Sequence, residues 1–131
     1  MGVNSWVTGF ILFSGILILF IMNKKLGGEP KCESWIEQRL YNALAKKGYY
    51  VRKQVRCGPY RIDMVIGNIA IECDGKSFHS SPDQKSYDKR RSAYLYRHGY
   101  RSVVRFSGSD INSDVQKCVG AIERKLFKGV V

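Results

Sequence analysis

Residues 60–74 read Tyr60-Arg61-Ile62-Asp63-Met64-Val65-Ile66-Gly67-Asn68-Ile69-Ala70-Ile71-Glu72-Cys73-Asp74. Two apolar, β-branched runs flank a Gly-Asn pair, which signals a hairpin with a two-residue loop. In such a loop Ile66 faces Ile69, so Asp63 faces Glu72 and Arg61 faces Asp74. Period-two alternation predicts these four on one face, with Ile62, Met64, Ile66, Ile69, Ile71 and Cys73 on the other. Carboxylates directly opposite one another have Cβ atoms about 5 Å apart and destabilise a strand pair. A cation between them removes the penalty, and a hard divalent ion takes a few carboxylate oxygens while keeping several waters.

Upstream of the hairpin, Trp35, Ile36, Leu40, Ala43 and Leu44 recur at intervals of three and four. They predict a helix over 30–47, opened by Pro30 and ended by Gly48. Residues 49–57 alternate loosely and predict a strand, turned into the next one by Gly58-Pro59. Downstream, a polar loop over 75–82 leads to a predicted helix over 83–98, with Tyr87, Arg91, Tyr94, Leu95 and His98 on one side. A strand over 101–106 centres on Val103-Val104. Ser109-Asp110 is predicted to cap a last helix whose stripe is Ile111, Val115, Val119, Ile122 and Leu126. The order is α-β-β-β-α-β-α, one α/β domain.

The chain has 131 residues, room for one core and not two. It carries 22 Lys+Arg against 11 Asp+Glu, a formal charge of +11. That points to phosphate backbones or anionic lipid as partners, and excludes an acidic disordered tail or a calcium buffer. Cys32, Cys57, Cys73 and Cys118 stand far apart with no C-x-x-C, so no zinc knuckle or redox pair is signalled. Free thiols in a reducing compartment are expected.

No charged side chain precedes Lys24, so the whole +11 lies on residues 24–131. Residues 6–22 are 17 uncharged and mostly apolar residues, the lower end of a bilayer span. There is no basic residue before them, as a signal peptide would want, and Lys24-Lys25 follows. The expected organisation is a single-pass transmembrane anchor with its basic flank over 1–26, a linker over 27–32 and a folded domain over 33–131. The positive-inside rule puts that domain in the cytoplasm, on the inner membrane of a cell.

Around the paired carboxylates, acids lie among cations. Glu37 is expected in the middle of the first helix, at the spacing Glu37-x-x-Leu40-x-x-x-Leu44, and Lys76 and His79 lie in the loop after Glu72-Cys73-Asp74-Gly75. Asp88, Arg90 and Arg91 open a basic helix, with tyrosines interleaved. Phosphodiester cleavage needs this combination, because acids can hold a metal that activates water while cations hold the backbone.

These residues resemble a known family. Arg61-Ile62-Asp63, then Ala70-Ile71-Glu72-Cys73-Asp74-Gly75 with His79, Asp88-x-x-Arg91-x-x-x-Leu95-x-x-x-Gly99-Tyr100 and Val104-Arg105-Phe106 look like the PD-(D/E)xK nuclease superfamily. The likeness is to the small domains related to the very-short-patch-repair endonuclease. It implies a restriction-endonuclease-like core, with a mixed central sheet flanked by helices and the transmembrane helix before it.

The resemblance implies Asp63 and Glu72 as ligands of Mg²⁺ or Mn²⁺, with the Cys73 carbonyl as a third. Glu37 is the implied helical acid, reaching the metal directly or through water, with Glu33 one turn earlier as its rival. Gln54 resembles a strand glutamine seen before the central aspartate. His79 is implied as general acid or base, or as a phosphate contact. The family's lysine is replaced by Asp74, which leaves its charge to Lys76 or Lys53. Lys53, Arg61, Lys85, Lys89, Arg90 and Arg91 are the expected DNA contacts.

The function expected is a membrane-anchored, metal-dependent DNA endonuclease, in bacterial or phage defence or DNA processing, with no small-molecule cofactor. Cutting both strands would need two sites, as in a homodimer. The alternatives are an inactive nuclease fold that tethers DNA to the membrane, and a basic domain that docks on anionic lipid.

Overall fold

The computed structural model describes residues 30–75 and 81–128. The expected anchor, Lys76 and His79 lie outside the described residues. Among the described residues no helix is long and apolar enough to cross a membrane.

Helix α1 spans Trp35–Lys46, and strands β1 Arg52–Cys57, β2 Tyr60–Ile66 and β3 Ile69–Asp74 follow. Helix α2 (Pro82–Arg97) leads to strand β4 (Ser102–Ser107), then helices α3 (Gly108–Ser113) and α4 (Val115–Phe127). The sheet order is β1-β2-β3-β4. The first three strands are antiparallel, and β4 runs parallel to β3 after the α2 crossover, as a parallel pair requires. The expected mixed sheet with flanking helices is therefore present.

The hairpin between β2 and β3 has the expected register, Ile66↔Ile69, Val65↔Ala70 and Met64↔Ile71. Gly67 takes φ +56° at the first loop position, the conformation a type II′ turn requires and glycine adopts without strain.

Each face of the sheet has its own core. On one face Leu40 and Leu44 of α1, Ile111 of α3, and Cys118, Val119 and Ile122 of α4 cover Met64, Ile66, Ile69, Ile71 and Phe106. On the other, Leu95 of α2 covers Ile62, Val65 and Ala70. Each fully buried Ile or Leu contributes about 1.5–3 kcal/mol of transfer free energy. All four cysteines are free thiols.

Two boundaries differ from expectation for local reasons. Helix α1 starts after Ser34, whose hydroxyl accepts the Glu37 N–H, and not at Pro30. The last helix is two. Ser107 and Asp110 form a capping box on α3, and Asp114 caps α4 by accepting from the Lys117 N–H. A residue with φ −154° and ψ 88° between them interrupts the helical path.

Candidate active site

The expected face assignment of the hairpin fails at Asp63, and that failure builds the site. Ile62 lies in the α2-side core while Met64 lies in the α1-side core, although two residues apart should share a face. The same switch occurs along β1, where Val51, just before the strand, packs in the α1-side core and Val55 against the α2-side core. Pairing of β1 with β2 runs Arg52↔Val65 and Lys53↔Met64, skips one level, and resumes at Val55↔Ile62 in the same register. The skipped level is Gln54 opposite Asp63. Gln54 has φ +51°, the left-handed region. One irregular residue on each strand keeps the register and exchanges the faces.

The β2–β3 ladder also stops short of Asp63, ending at Met64↔Ile71. In place of a ladder partner, Asp63 Oδ2 accepts the Cys73 N–H at 2.8 Å. Burial pushes the Asp63 carboxyl up to about 6, against the pull of that N–H. That value already includes the upward push of the Glu37 and Glu72 charges and the downward pull of Arg91.

Glu37 stands in the first turn of α1, not in its middle, and is buried. Its Oε1 accepts from the Ser34 hydroxyl at 2.8 Å. Its Oε2 accepts from the Glu33 N–H at 2.9 Å and from Gln54 Nε2 at 3.0 Å. Three donors of the chain thus hold this carboxylate beside Asp63. Glu33, the rival acid, is turned outward and pairs with Arg61 at 2.5 Å. Arg61 was expected to face Asp74; the strand kink at Asp63 carries it to the α1 side instead.

Glu72 is buried and shares a level of the sheet with Arg105 of β4. Its Oε2 accepts from Arg105 Nε at 2.8 Å. Arg105 Nη2 donates to the Ser92 hydroxyl at 3.0 Å and so ties β4 to α2. Arg91 Nη2 lies 2.7 Å from Glu72 Oε1. That contact is an ion pair without an aligned N–H, so Glu72 Oε1 and Arg91 Nε are both buried without a hydrogen bond. The N–H of Arg91 Nη2 is aimed instead at the Arg61 carbonyl, 2.6 Å away. Gln54 Oε1 is a third buried atom lacking a donor.

The fold therefore brings Glu37, Asp63 and Glu72 into electrostatic contact through its kinked level. Asp74 ends β3 beside Ser107 and is exposed. Lys53 lies over the Tyr41 ring at 4.3 Å. Lys85, Lys89 and Arg90 are exposed or nearly so along α2, while Arg91 turns inward. Arg105 and Ser92 were missed as site residues. Parallel pairing of β3 and β4 is what sets Arg105 beside Glu72, and only the Val104-Arg105-Phe106 motif hinted at it.

Among the described residues no three His, Cys, Asp or Glu side chains converge tightly enough to chelate an ion. The chemistry of the donors nonetheless fits a hard divalent cation. They are carboxylate and carbonyl oxygens, and Gln54 Oε1 is a buried oxygen that no group among the described residues partners.

A family model, REase_MTES_1575, matches residues 36–126. No curated protein matches the chain. Among solved structures, the catalytic domain of the homing endonuclease I-Bth0305I matches with a TM-score of 0.56 and 22% sequence identity. That match covers 70% of this chain and 93% of that domain, and at such identity it speaks for the fold.

Proposed function

Because the chain belongs to the restriction-endonuclease family REase_MTES_1575, a nuclease family of PD-(D/E)xK type, we propose that it is a metal-dependent DNA endonuclease held at the membrane by residues 6–22. The observation that carries the reading is the Glu37–Asp63–Glu72 group, in which two buried acids act on a half-buried Asp63 whose carboxyl is raised to about 6, chiefly by desolvation. The chain's motifs are similar to those of the very-short-patch-repair branch of the PD-(D/E)xK superfamily.

Asp63, Glu72 and the Cys73 carbonyl would hold Mg²⁺ or Mn²⁺, with Glu37 supporting it through water. When bound, such an ion supplies Lewis-acid polarisation of the phosphate and a water of lowered pKa. The chain's own groups do the rest. Arg91 and Arg105 fix Glu72 and offset its charge. Lys85, Lys89 and Arg90 face solvent on α2 and would grip the DNA backbone, with Lys53 and Arg61 on the hairpin side. Lys76 and His79 would help with proton transfer or charge. The anchor would keep the domain cytoplasmic, against DNA entering or processed at the inner membrane, in a defence or processing role.

The test is DNA cleavage by the full chain with Mg²⁺ or Mn²⁺. Asp63→Ala should abolish cutting and leave the circular dichroism spectrum unchanged. Cutting that survives the substitution refutes the site.

A second reading has its own support. Asp74 replaces the family's lysine, and two arginines already engage Glu72. Both suit an inactive nuclease fold that tethers DNA. A tether binds DNA with steep salt dependence whether or not Mg²⁺ is present, and cuts nothing.

A further inference from the structure

Gln54 stands in a backbone conformation that costs any residue with a side chain and that glycine would adopt freely. Its φ is +51°, and among the described residues it is the non-glycine with positive φ. Such strain persists only where the surroundings impose it, and it gathers at functional sites. The surroundings here are the unpaired level of β1 and β2, where Gln54 lies opposite Asp63.

The strained backbone delivers the side chain to the acids. Gln54 Nε2 donates to Glu37 Oε2 at 3.0 Å. This fixes the orientation of the amide, because its oxygen end would be repelled by a carboxylate. The Oε1 atom then points away from Glu37, and it is buried with no donor. A buried amide oxygen is costly unless it accepts a hydrogen bond. The ionised carboxylates of Glu37 and, at the same strand level, Asp63 have no hydrogen to offer it, so the donor that suits it is water.

We propose that Gln54 is a positioning residue for the attacking water, its amide clamped by Glu37 so that Oε1 accepts an O–H of a water beside Asp63. An amide does not take up the proton. It acts by orientation, turning the water's lone pair toward phosphorus, and its effect is therefore independent of pH. The proposal rests on the nuclease reading above.

Gln54→Gly separates this role from a structural one, since it removes the side chain and relieves the backbone together. With the full chain, kcat should fall roughly 10²-fold, the cost of losing fixed orientation at the reacting centre. KM, the shape of the pH profile and Mn²⁺ affinity by calorimetry should hold, and the thermal midpoint should move little, because the relieved backbone offsets the lost hydrogen bond to Glu37. Gln54→Glu offers a carboxylate to Glu37 and should lower kcat as well, with a lower midpoint. An unchanged kcat in Gln54→Gly, while the wild type cuts, overturns the proposal alone. So does a loss of Mn²⁺ affinity or of midpoint that accounts for the lost rate, because Gln54 is then a prop for Glu37. A wild type that cuts no DNA with either metal overturns the nuclease reading and this proposal with it.

Discussion

Asp63→Asn should make the protein more stable at neutral pH while stopping cleavage. Asparagine keeps an oxygen for the Cys73 N–H, so the strand contact survives. What it removes is a carboxylate that burial and two acidic neighbours penalise. The folded-state value is raised from 3.8 to about 6. An acid raised on folding holds its proton more tightly in the folded state. Stability therefore falls as pH rises from about 4 through about 6, and the loss persists above that. At 1.36 kcal/mol per unit the ceiling is about 3 kcal/mol. Asp63 is partly open to solvent, which screens the interaction and lowers the expected gain to about 1–2 kcal/mol. For a domain of this size that corresponds to roughly 5–10 °C in midpoint. The assay is thermal unfolding of full-length wild type and Asp63→Asn at pH 8 and at pH 4, without metal. The gain should be present at pH 8 and vanish at pH 4. Equal midpoints at pH 8, or a variant that is less stable there, would refute the account of Asp63 as a penalised buried carboxylate.

Other substitutions probe the surrounding framework. Glu72→Ala strips the partner from Arg91 and Arg105 and should cost about 3 kcal/mol in chemical denaturation, since it leaves cations in a half-buried place. Arg105→Met should cost less than Glu72→Ala, because Arg91 remains to pair the acid; a larger loss would mean that the Ser92 bond dominates. Gly58→Ala places a methyl group at φ +57° against the Tyr94 ring and hydroxyl, and should destabilise by about 2 kcal/mol or more. Leu40→Ala should cost about 2–5 kcal/mol by opening a cavity between α1 and the sheet.

The sequence made the hairpin readable because its turn and its period of two agree. Ile66↔Ile69 follows from Gly67-Asn68 alone. Glu37 was separable from Glu33 because the spacing to Leu40 and Leu44 puts it on the buried side of α1. The exchange of faces at Gln54 and Asp63 was not readable. Residues 60–64 alternate, the apolar Val65 does not say where the faces change, and the break depends on a left-handed glutamine one strand away. Nor could the sequence show Glu72 between two arginines, one from α2 and one from β4. Such pairs arise only once the crossover is closed. The division of the last helix had a local signal, Asp114 three residues before Lys117, but the apolar stripe runs through it unbroken.

A sheet ordinarily insulates the layers on its two sides. At the Gln54–Asp63 level it does not: Glu37 of α1 on one side and Arg91 of α2 on the other act on the same carboxyl group, that of Asp63. With all groups ionised, Glu37, Asp63 and Glu72 against Arg91 and Arg105 leave one negative charge in excess. That surplus repels a phosphodiester. A divalent cation reverses it to one positive charge, and a single phosphodiester then brings the assembly to neutrality. Metal and DNA are thus expected to bind with positive coupling, each tightening the other by the same factor. In a domain of strongly positive charge, that would make this acidic level a point among the described residues where DNA is refused until the ion arrives.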